Sequence, residues 1–450
     1  MSTDILAQAA MEAGVTGAAL AFRQGDGPIR IACHGLANAA EGRPVGPDAL
    51  FEIGSITKVM TATVAMQLVA DGALTLDDPV RRIVPEFTVR DAGASRAITL
   101  RHLLSHASGV DGDHFLHCGE DDKALGHYAR SCAVLDQLHG PGQGVSYSNA
   151  GYTLIGWILE RVSGIPYATL MERRLAALIG GHDVRFERAG TDRPGRVDGH
   201  VASPQGPVVV PRHIFPYAQA PSGSRTTATI MDVARFADMH LRGETCAGLT
   251  ATAIDEMRRL HQRAPDGEWD YAGRGMGWEL FGPDLLSPGH DGVTAGQTSF
   301  LRTDPASGSL LALATTGPGG RALFASLVRT LFPDFARHWL VAPPPPQPDL
   351  PIAPLIGRYL SKVRRISIGQ ADGTPFLLSE PGDDPSGIVQ RATARIVPAA
   401  PHILLRLDPG SDEPRPLIFS DFDADGVPHA LHAGQRMYRR APHDHDEGPN

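Results

Sequence analysis

Apolar residues in the first 340 positions follow two different periods along the chain. Helical spacing predicts helices at residues 5–13, 55–70, 152–162, 229–241 and 322–340. Short apolar or alternating runs predict strands at residues 17–22, 29–35, 298–303 and 309–315. Because the strands lie near both ends of this part and most of the helices lie between them, we predict one discontinuous α/β layer with an inserted helical region.

A proline-rich segment, residues 342–351, separates this part from the rest of the chain. Its four consecutive prolines favour an extended, semi-rigid spacer. Beyond it, apolar runs between Gly, Pro and Asp turns predict a small all-β module, with strands near residues 376–378, 394–397, 402–407 and 416–419. The predicted organisation is a large domain at residues 1–341, a linker at 342–351, a β domain at 352–441 and a flexible tail at 442–450.

Composition and charge exclude several classes of protein. The 450 residues are 42% hydrophobic and 20% charged, which excludes a disordered chain. The apolar runs are far shorter than the roughly 20 residues that span a bilayer, and the net charge of −9 provides no basic face, so we expect neither a membrane nor a nucleic acid as partner. The N-terminus lacks a basic segment before an apolar stretch, which predicts a cytoplasmic protein. The sequence contains no CxxC, no HExxH and no complete Gly-rich phosphate loop, so we predict no metal and no cofactor.

The strongest candidate chemistry is the pair Ser55 and Lys58 at the start of the second predicted helix. Positions i and i+3 lie on one face of a helix, so an amine there can take the serine proton once burial or nearby cations lower its pKa. Arginine cannot do this because it stays protonated. The chain otherwise uses arginine, and Lys58, Lys123 and Lys362 are its only lysines. The alternative is a chance S-x-x-K.

Two further segments can bring polar groups to the same cleft. Tyr147 and Asn149 stand in a turn before a predicted buried helix, where a phenol can relay a proton and an amide can bind a substrate carbonyl. The alternative is a helix-entry turn with Asn149 as its N-cap. His290, Asp291 and Gly292 open a predicted strand, whose edge offers a titratable imidazole and room for a substrate backbone. The alternative is an exposed turn with a bystander histidine.

Together and in this order, the three motifs resemble those of the serine β-lactamase and penicillin-binding-protein superfamily. That superfamily carries S-x-x-K, Y-x-N and a K/H-x-G strand, and the segments FEIGSITK, LTLDDPV, ITLRHLLSHASGV, YSNAGYTLIG and GHDGVTAGQTSFLRTDP are similar to its sequences. The group that the chain resembles contains class C β-lactamases, D-alanyl-D-alanine carboxypeptidases, D-aminopeptidases and esterases. The resemblance implies an α/β (α+β) fold, with an antiparallel sheet, flanking helices and an all-helical subdomain.

The resemblance also implies catalytic roles. Ser55 is expected to be the acylated nucleophile. Lys58 and Tyr147 are expected to share the general-base and proton-relay work, and which of them deprotonates Ser55 is left open. Asn149 is expected to orient the substrate amide.

The third motif is expected to serve the substrate and the developing oxyanion. His290 stands where the superfamily often has lysine, and would support the Tyr147 hydroxyl or a substrate carboxylate. Asp291 and Gly292 are expected to belong to the substrate-binding strand. The oxyanion hole is expected from the backbone N–H groups of Ser55 and Val293.

Within the superfamily, the chain resembles the penicillin-binding-protein-type thioesterases. Those stand-alone cytoplasmic enzymes take a peptidyl thioester from a nonribosomal peptide synthetase, load the peptide on serine and cyclise it head to tail, beside a lipocalin-like C-terminal domain. The resemblance therefore implies a small lipocalin-like β-barrel after the linker and a carrier-protein domain as a possible partner. Two alternatives stay open: a cytoplasmic esterase or D-stereospecific peptidase with β-lactamase-like hydrolysis, and a non-catalytic ligand-binding relative.

A basic run near the C-terminus, Arg436-Met-Tyr-Arg439-Arg440, bears on that choice. A cyclase must hold its acyl-enzyme away from water, so its cleft should be long and partly covered by the β module. One of these arginines could belong to that cover. The interpretation that we favour from the sequence is a solvated charge run at the end of the last strand.

Overall fold

The computed structural model describes residues 2–442, apart from residues 182, 192, 213, 244, 246, 270, 283–286, 385 and 409–412. Cys246 and the predicted tail from residue 443 onward lie outside the described residues. The helices of the described part are α1 (Ser2–Ala13), α2 (Thr57–Ala70), α3 (Ala92–Ala97), α4 (Leu100–Leu104), α5 (Ala124–Ser131), α6 (Asn149–Ser163), α7 (Tyr167–Ile179), α8 (Ile230–Arg242), α9 (Ala251–Arg258), α10 (Gly320–Leu331) and α11 (Ala336–Trp339). Among the described residues, every helix falls short of the length and hydropathy that a bilayer crossing requires.

One antiparallel sheet organises the first part of the chain. The strands before the linker are β1 (Gly17–Arg23), β2 (Arg30–Asn38), β3 (Arg43–Pro44), β4 (Phe51–Glu52), β5 (Arg185–Phe186), β6 (His200–Val201), β7 (Val208–Val209), β8 (Thr226–Ala228), β9 (Gln262–Arg263), β10 (Gly273–Arg274), β11 (Glu279–Phe281), β12 (Ser287–Thr294), β13 (Gln297–Asp304) and β14 (Ser309–Thr316). Within the described residues, nine of them form a sheet in the order β3-β2-β1-β14-β13-β12-β11-β10-β9. The predicted α/β layer is therefore confirmed, since β1 pairs with β14 although helices separate them along the chain.

The central strands are buried on both faces of this sheet. Every residue of β1 and of β14 is buried, which is why their sequences run apolar instead of alternating. One face packs against α1 and α10, where the rings of Phe300 and Phe324 stack at 4.6 Å between centroids. The other face packs against the helical region, in which α2 is buried from Thr57 to Leu68. Most of its buried residues are apolar, and buried polar ones such as Thr61 and Thr63 donate their hydroxyls to backbone carbonyls of the preceding turn.

The long helix predicted over residues 322–340 is wrong, because the chain breaks it into shorter pieces. Helix α10 ends at Leu331, a 3₁₀ turn covers Pro333–Phe335, and α11 follows. Proline at position 333 disfavours the helical conformation for the residue before it, and Phe332 adopts φ −135° and ψ 54°. The chain then passes along the barrel surface, where the Gln347 N–H donates to the Pro398 carbonyl at 2.7 Å.

The C-terminal module is a closed β-barrel, as predicted. Its strands are β15 (Gly357–Leu360), β16 (Arg364–Ala371), β17 (Thr374–Pro381), β18 (Ala392–Ala400), β19 (Ile403–Leu407), β20 (Arg415–Phe422), β21 (Pro428–Ala433) and β22 (Arg436–Arg440). Over the described residues these eight strands pair in chain order, and β15 pairs with β22 to close the barrel. Closure pairs the two edge strands that a small open sheet would expose.

The barrel lies against the helical region through its last hairpin. The Arg439 Nε–H donates to the Leu138 carbonyl at 2.6 Å, and the Met437 N–H donates to Ser146 Oγ at 3.1 Å. Leu138, Ala430 and Met437 form a small buried apolar cluster at this contact. The hairpin between β21 and β22 is therefore held by both polar and apolar contacts with the first part of the chain.

We predict that Leu313→Ala destabilises the protein by about 2–5 kcal/mol, because a leucine buried between paired strands leaves a cavity when truncated. Leu313 is fully buried in β14 and pairs with Leu20 and Phe300. Urea unfolding followed by circular dichroism measures the change. Met11→Ala is the control, since Met11 is 68% exposed and its truncation should change stability by no more than about 0.5 kcal/mol. Equal losses in the two variants would contradict the predicted packing.

Candidate active site

Ser55 and Lys58 meet at the start of α2, as their spacing predicts. Ser55 lies in a 3₁₀ turn, Gly54–Ile56, that leads directly into the helix. The Lys58 Nζ donates to Ser55 Oγ at 3.0 Å and also to the carbonyl of Ser222. Lys58 is fully buried, whereas Ser55 is partly exposed, so packing fixes the amine and leaves the hydroxyl accessible.

The surroundings of Lys58 favour its uncharged amine. Burial lowers the pKa of Lys58 well below its usual range, and the nearby cations Arg436 and Arg274 lower it further. The carboxylates Asp113 and Glu279 oppose this and raise it. A neutral amine within hydrogen-bond distance of a serine hydroxyl can accept the serine proton.

Tyr147 completes a compact group with these two residues. Its ring centre lies 4.7 Å from Lys58 Nζ. Burial raises the pKa of Tyr147, which the nearby Ser55 hydroxyl only partly offsets. The phenol therefore stays protonated, which suits a proton relay, whereas Lys58 has the properties of the base.

His106 contacts the Tyr147 segment through its ring and its backbone. It was not singled out in the sequence analysis. Its ring stacks on the Tyr147 ring at 4.5 Å between centroids and 24° between planes. Its carbonyl accepts from the Ser146 N–H, and its Nδ1 accepts from the Ser148 N–H, both at 3.0 Å. The only sequence signal was its place in the segment ITLRHLLSHASGV, which is similar to the superfamily as a whole.

His290 reaches the same group from β12, with its ring centroid 6.2 Å from that of Tyr147. Burial lowers the pKa of His290 to about 4, with Lys58 and Arg274 adding to the effect and Glu279 opposing it. Its Nδ1–H donates to the Asp291 carbonyl at 2.7 Å, which leaves Nε2 as a neutral acceptor. A neutral imidazole can accept from a phenol, which fits the expected support of the Tyr147 hydroxyl, and the role toward a substrate carboxylate stays a prediction.

Asp291 does not lie in the site, which corrects its expected role in substrate binding. Successive strand residues point to opposite faces, so Asp291 faces away from His290. Its carboxylate binds Arg302 and Arg321, on the side of the sheet that packs against α10. Asp291 therefore ties the strand to its supporting layer.

Three backbone segments converge around the serine turn at distances that only glycine allows. A Cβ atom on Gly292 would lie 2.1 Å from the Ile53 carbonyl oxygen, and one on Gly223 would lie 2.2 Å from the Gly54 carbonyl oxygen. A Cβ on Gly54 would lie 2.8 Å from the Val293 nitrogen. Gly292 thus permits close packing of β12 rather than contact with a substrate side chain, and the Val293 N–H is brought beside the serine turn.

Asn149 enters the site together with a residue of the barrel. The Asn149 Nδ2–H donates to Asp113 Oδ1 at 2.8 Å, while Arg436 binds the same carboxylate through two nitrogens. The Arg436 guanidinium lies 5.0 Å from the Tyr147 ring centre. The interpretation of Arg436 as part of a solvated run is therefore wrong. Ser148, not Asn149, is the N-cap of α6.

A buried ion pair on the sheet, missed from the sequence, also lies near Tyr147. The Arg274 Nη1–H donates to Glu279 Oε1 at 2.6 Å, and the Arg274 guanidinium lies 5.2 Å from the Tyr147 ring centre. Burial alone would raise the pKa of Glu279, but the nearby His290, Arg274 and Arg302 lower it to about 2. The fragment Gly273-Arg-Gly-Met-Gly277 suggested only a turn before a strand, since nothing local marks Arg274 as buried. Across the described residues, no group of three His, Cys, Asp or Glu side chains is arranged to hold a metal ion.

Comparison with known proteins places this geometry in a family. A profile of the Beta-lactamase family matches residues 3–330. Penicillin-binding protein 4 of Amycolatopsis lactamdurans is 35% identical over 365 residues, which cover 77% of this chain and 93% of that protein. The chain belongs to the β-lactamase family. Esterase EstB of Burkholderia gladioli is 35% identical over 201 residues, covering 41% of this β-lactamase-family chain and 51% of EstB.

Two solved structures match different shares of this β-lactamase-family protein. The crystal structure of SurE aligns with a TM-score of 0.78 and 27% identity over 98% of each chain, which includes the barrel. The D-amino acid amidase of Ochrobactrum anthropi SV3 aligns with a TM-score of 0.63 and 22% identity, over 74% of this chain and 98% of its own. The family is one of serine hydrolases.

For this β-lactamase-family site, we predict that Lys58→Arg lowers the rate of Ser55 acylation by about 10²–10⁴-fold, because a guanidinium keeps the charge but cannot act as base. Labelling with a fluorescent fluorophosphonate over time measures acylation. Lys123→Arg is the matched control, since Lys123 is exposed and should leave labelling unchanged. Near-normal labelling of the Lys58 variant would contradict Lys58 as the base. Ser55→Ala should abolish labelling altogether.

We also predict that Arg436→Gln moves the acid limb of the acylation-rate profile to higher pH. The substitution removes a cation that lowers the pKa of Lys58 and leaves Asp113, which raises it. The pKa of Lys58 therefore rises, and a higher pH is needed to obtain the neutral amine. The profile is measured with a small activated ester. Arg439→Gln is the control, since Arg439 binds Leu138 and Asp421 instead. Unchanged limbs in both variants would contradict the electrostatic role of Arg436.

Proposed function

We propose that this protein is a thioesterase that loads a peptide on Ser55 and releases it by head-to-tail cyclisation. The observation that carries the proposal is the barrel hairpin beside the nucleophile, with Arg436 at 5.0 Å from the Tyr147 ring centre. An ester on Ser55 can be resolved by water or by an amine of the same peptide. A site that is covered from the barrel side limits the access of water, which favours the internal amine.

The chemistry follows from the groups around Ser55. Ser55 Oγ attacks the thioester carbonyl while Lys58 takes its proton, and the N–H groups of Ser55 and Val293 stabilise the oxyanion. Collapse of the tetrahedral intermediate breaks the carbon–sulfur bond, and the leaving thiolate receives a proton through Tyr147. The terminal amine of the peptide then attacks the ester, its proton returns through the same groups, and the Ser55 hydroxyl is regenerated.

One comparison supports a peptide with D-configured residues as the acyl donor. A solved structure similar to this chain, with a TM-score of 0.75 and 28% identity, is SurE with D-Leu. We infer that the acyl donor carries a D residue at its C-terminus and arrives as a thioester, delivered by a carrier-protein domain of a peptide synthetase.

The second candidate function is hydrolysis by an esterase or D-specific peptidase. The similarity to EstB favours it, because the same serine, lysine and tyrosine would serve an acyl-enzyme that water resolves. The EstB match covers 41% of this chain, whereas the SurE alignment covers 98% and includes the barrel. A ligand-binding role without catalysis is the weakest candidate, since Lys58 and Tyr147 are both arranged around Ser55.

We predict that a synthetic linear peptide thioester with a C-terminal D residue yields a product that has lost the thiol and gained no water. Mass spectrometry distinguishes this cyclic product from the hydrolysed acid, which is heavier by one water. The matched control is the same peptide with an acetylated N-terminus, which lacks the attacking amine and should give only acid. The variant Ser55→Ala should give neither product. Hydrolysis alone, across a panel of free-amine peptides, would overturn the cyclase proposal in favour of the second candidate.

A further inference from the structure

The tip of the β21–β22 hairpin reaches the backbone of the Tyr147 segment directly. The Tyr147 N–H donates to the carbonyl of Gln435 at 2.9 Å. The N–H groups of the two neighbours, Ser146 and Ser148, donate to His106. The N–H groups of three consecutive residues therefore donate to two segments that are distant in the sequence, and one of these segments belongs to the barrel.

The side chain of Gln435 makes a second contact in the same place. Its Oε1 accepts from Nη2 of Arg274, whose Nη1 is bound to Glu279. Arg274 is only 1% exposed and lies between the rings of Tyr147 and Tyr271, at 5.2 and 4.4 Å from their centres. A buried guanidinium needs acceptors for its N–H groups, and Gln435 is one of the two side chains that provide them here.

The turn that carries Gln435 fixes the direction of its carbonyl. Ala433 pairs with Arg436, so Gly434 and Gln435 form a two-residue hairpin loop, and their φ values of +55° and +69° are the ones that such a tight turn requires. Asp372, with a φ of +49°, has the same conformation in another barrel hairpin. The contacts of Gln435, and not its backbone conformation, therefore distinguish it from Asp372.

We propose that Gln435 is a positioning residue for the acylation of Ser55. Its carbonyl fixes the backbone of Tyr147, and its side-chain amide fixes Arg274 against the Tyr147 ring, so the barrel sets the geometry of the proton relay. The inference rests on the serine mechanism of the proposed function and is independent of whether the acyl-enzyme is cyclised or hydrolysed.

The test uses full-length variants and a small activated aryl ester, with release of the leaving group followed by rapid mixing. Gln435→Met removes the acceptor at nearly constant volume and should lower the acylation rate constant about tenfold with KM unchanged. Gln435→Glu keeps an acceptor for Arg274 and should retain the rate within about threefold on the high-pH plateau, since an added carboxylate shifts only the acid limb. Asp372→Met is the matched control, because Asp372 is exposed in another barrel hairpin with a positive φ of 49°.

A double-mutant cycle with Arg274→Lys separates positioning from general instability. If Gln435 acts through Arg274, the combined variant should lose no more than the larger of the two single losses. Gln435→Asn serves as the second variant if the Met variant folds poorly. Asparagine tolerates the left-handed conformation, but its side chain is one methylene shorter, so this variant should show the same loss of acylation rate. An unchanged rate in both the Met and Asn variants, an equal loss in the Asp372 variant, or a loss confined to KM would overturn the inference. Turnover that survives Ser55→Ala would instead overturn the serine mechanism.

Discussion

The burial of the Lys58 amine, which lowers its pKa well below the usual range, is the constraint on which the arrangement of this candidate site depends. Burial favours the neutral form of Lys58, but it also removes the water that would solvate neighbouring charges. Two cation–carboxylate pairs, Arg436–Asp113 and Arg274–Glu279, lie near Tyr147. Within each pair the opposite charges compensate each other, so the amine lies among compensated groups instead of beside an isolated ion. Lys58, Tyr147 and the barrel contact are therefore parts of one electrostatic arrangement.

Local patterns predict much of the fold and the centre of the site. The helix α2 and the buried strands β1 and β14 follow from apolar periodicity, and Ser55 and Lys58 meet because a turn of helix brings them together. The partners that tune this centre come from far along the chain. Gln435 and Arg274 are 161 positions apart, and nothing in the sequence near either residue indicates the other. Contacts of this kind depend on how the barrel closes and lies against the helical region.

Two misassigned residues show where reasoning from motifs fails. Asp291 was grouped with His290 because the two are adjacent, although strand geometry sends adjacent side chains to opposite faces. Its pairing with Arg302 and Arg321 is the result of that alternation. The interpretation of Arg436 rests on composition, because it treats this residue as one member of a basic run. What decides its surroundings is its position at the start of β22, directly after the turn.

The convergence of Gly54, Gly223 and Gly292 around the serine turn has a consequence for how this scaffold can change. The turn that carries Ser55 packs main chain against main chain, so closely that a Cβ atom on any of these glycines would lie 2.1–2.8 Å from a neighbouring backbone atom. The hydrogen bond from Lys58 to Ser55 Oγ adds to this packing. Side chains that make neither contact can be exchanged without moving the serine turn, so substitutions on the walls of the cleft can change which groups fit there while Ser55 keeps its alignment.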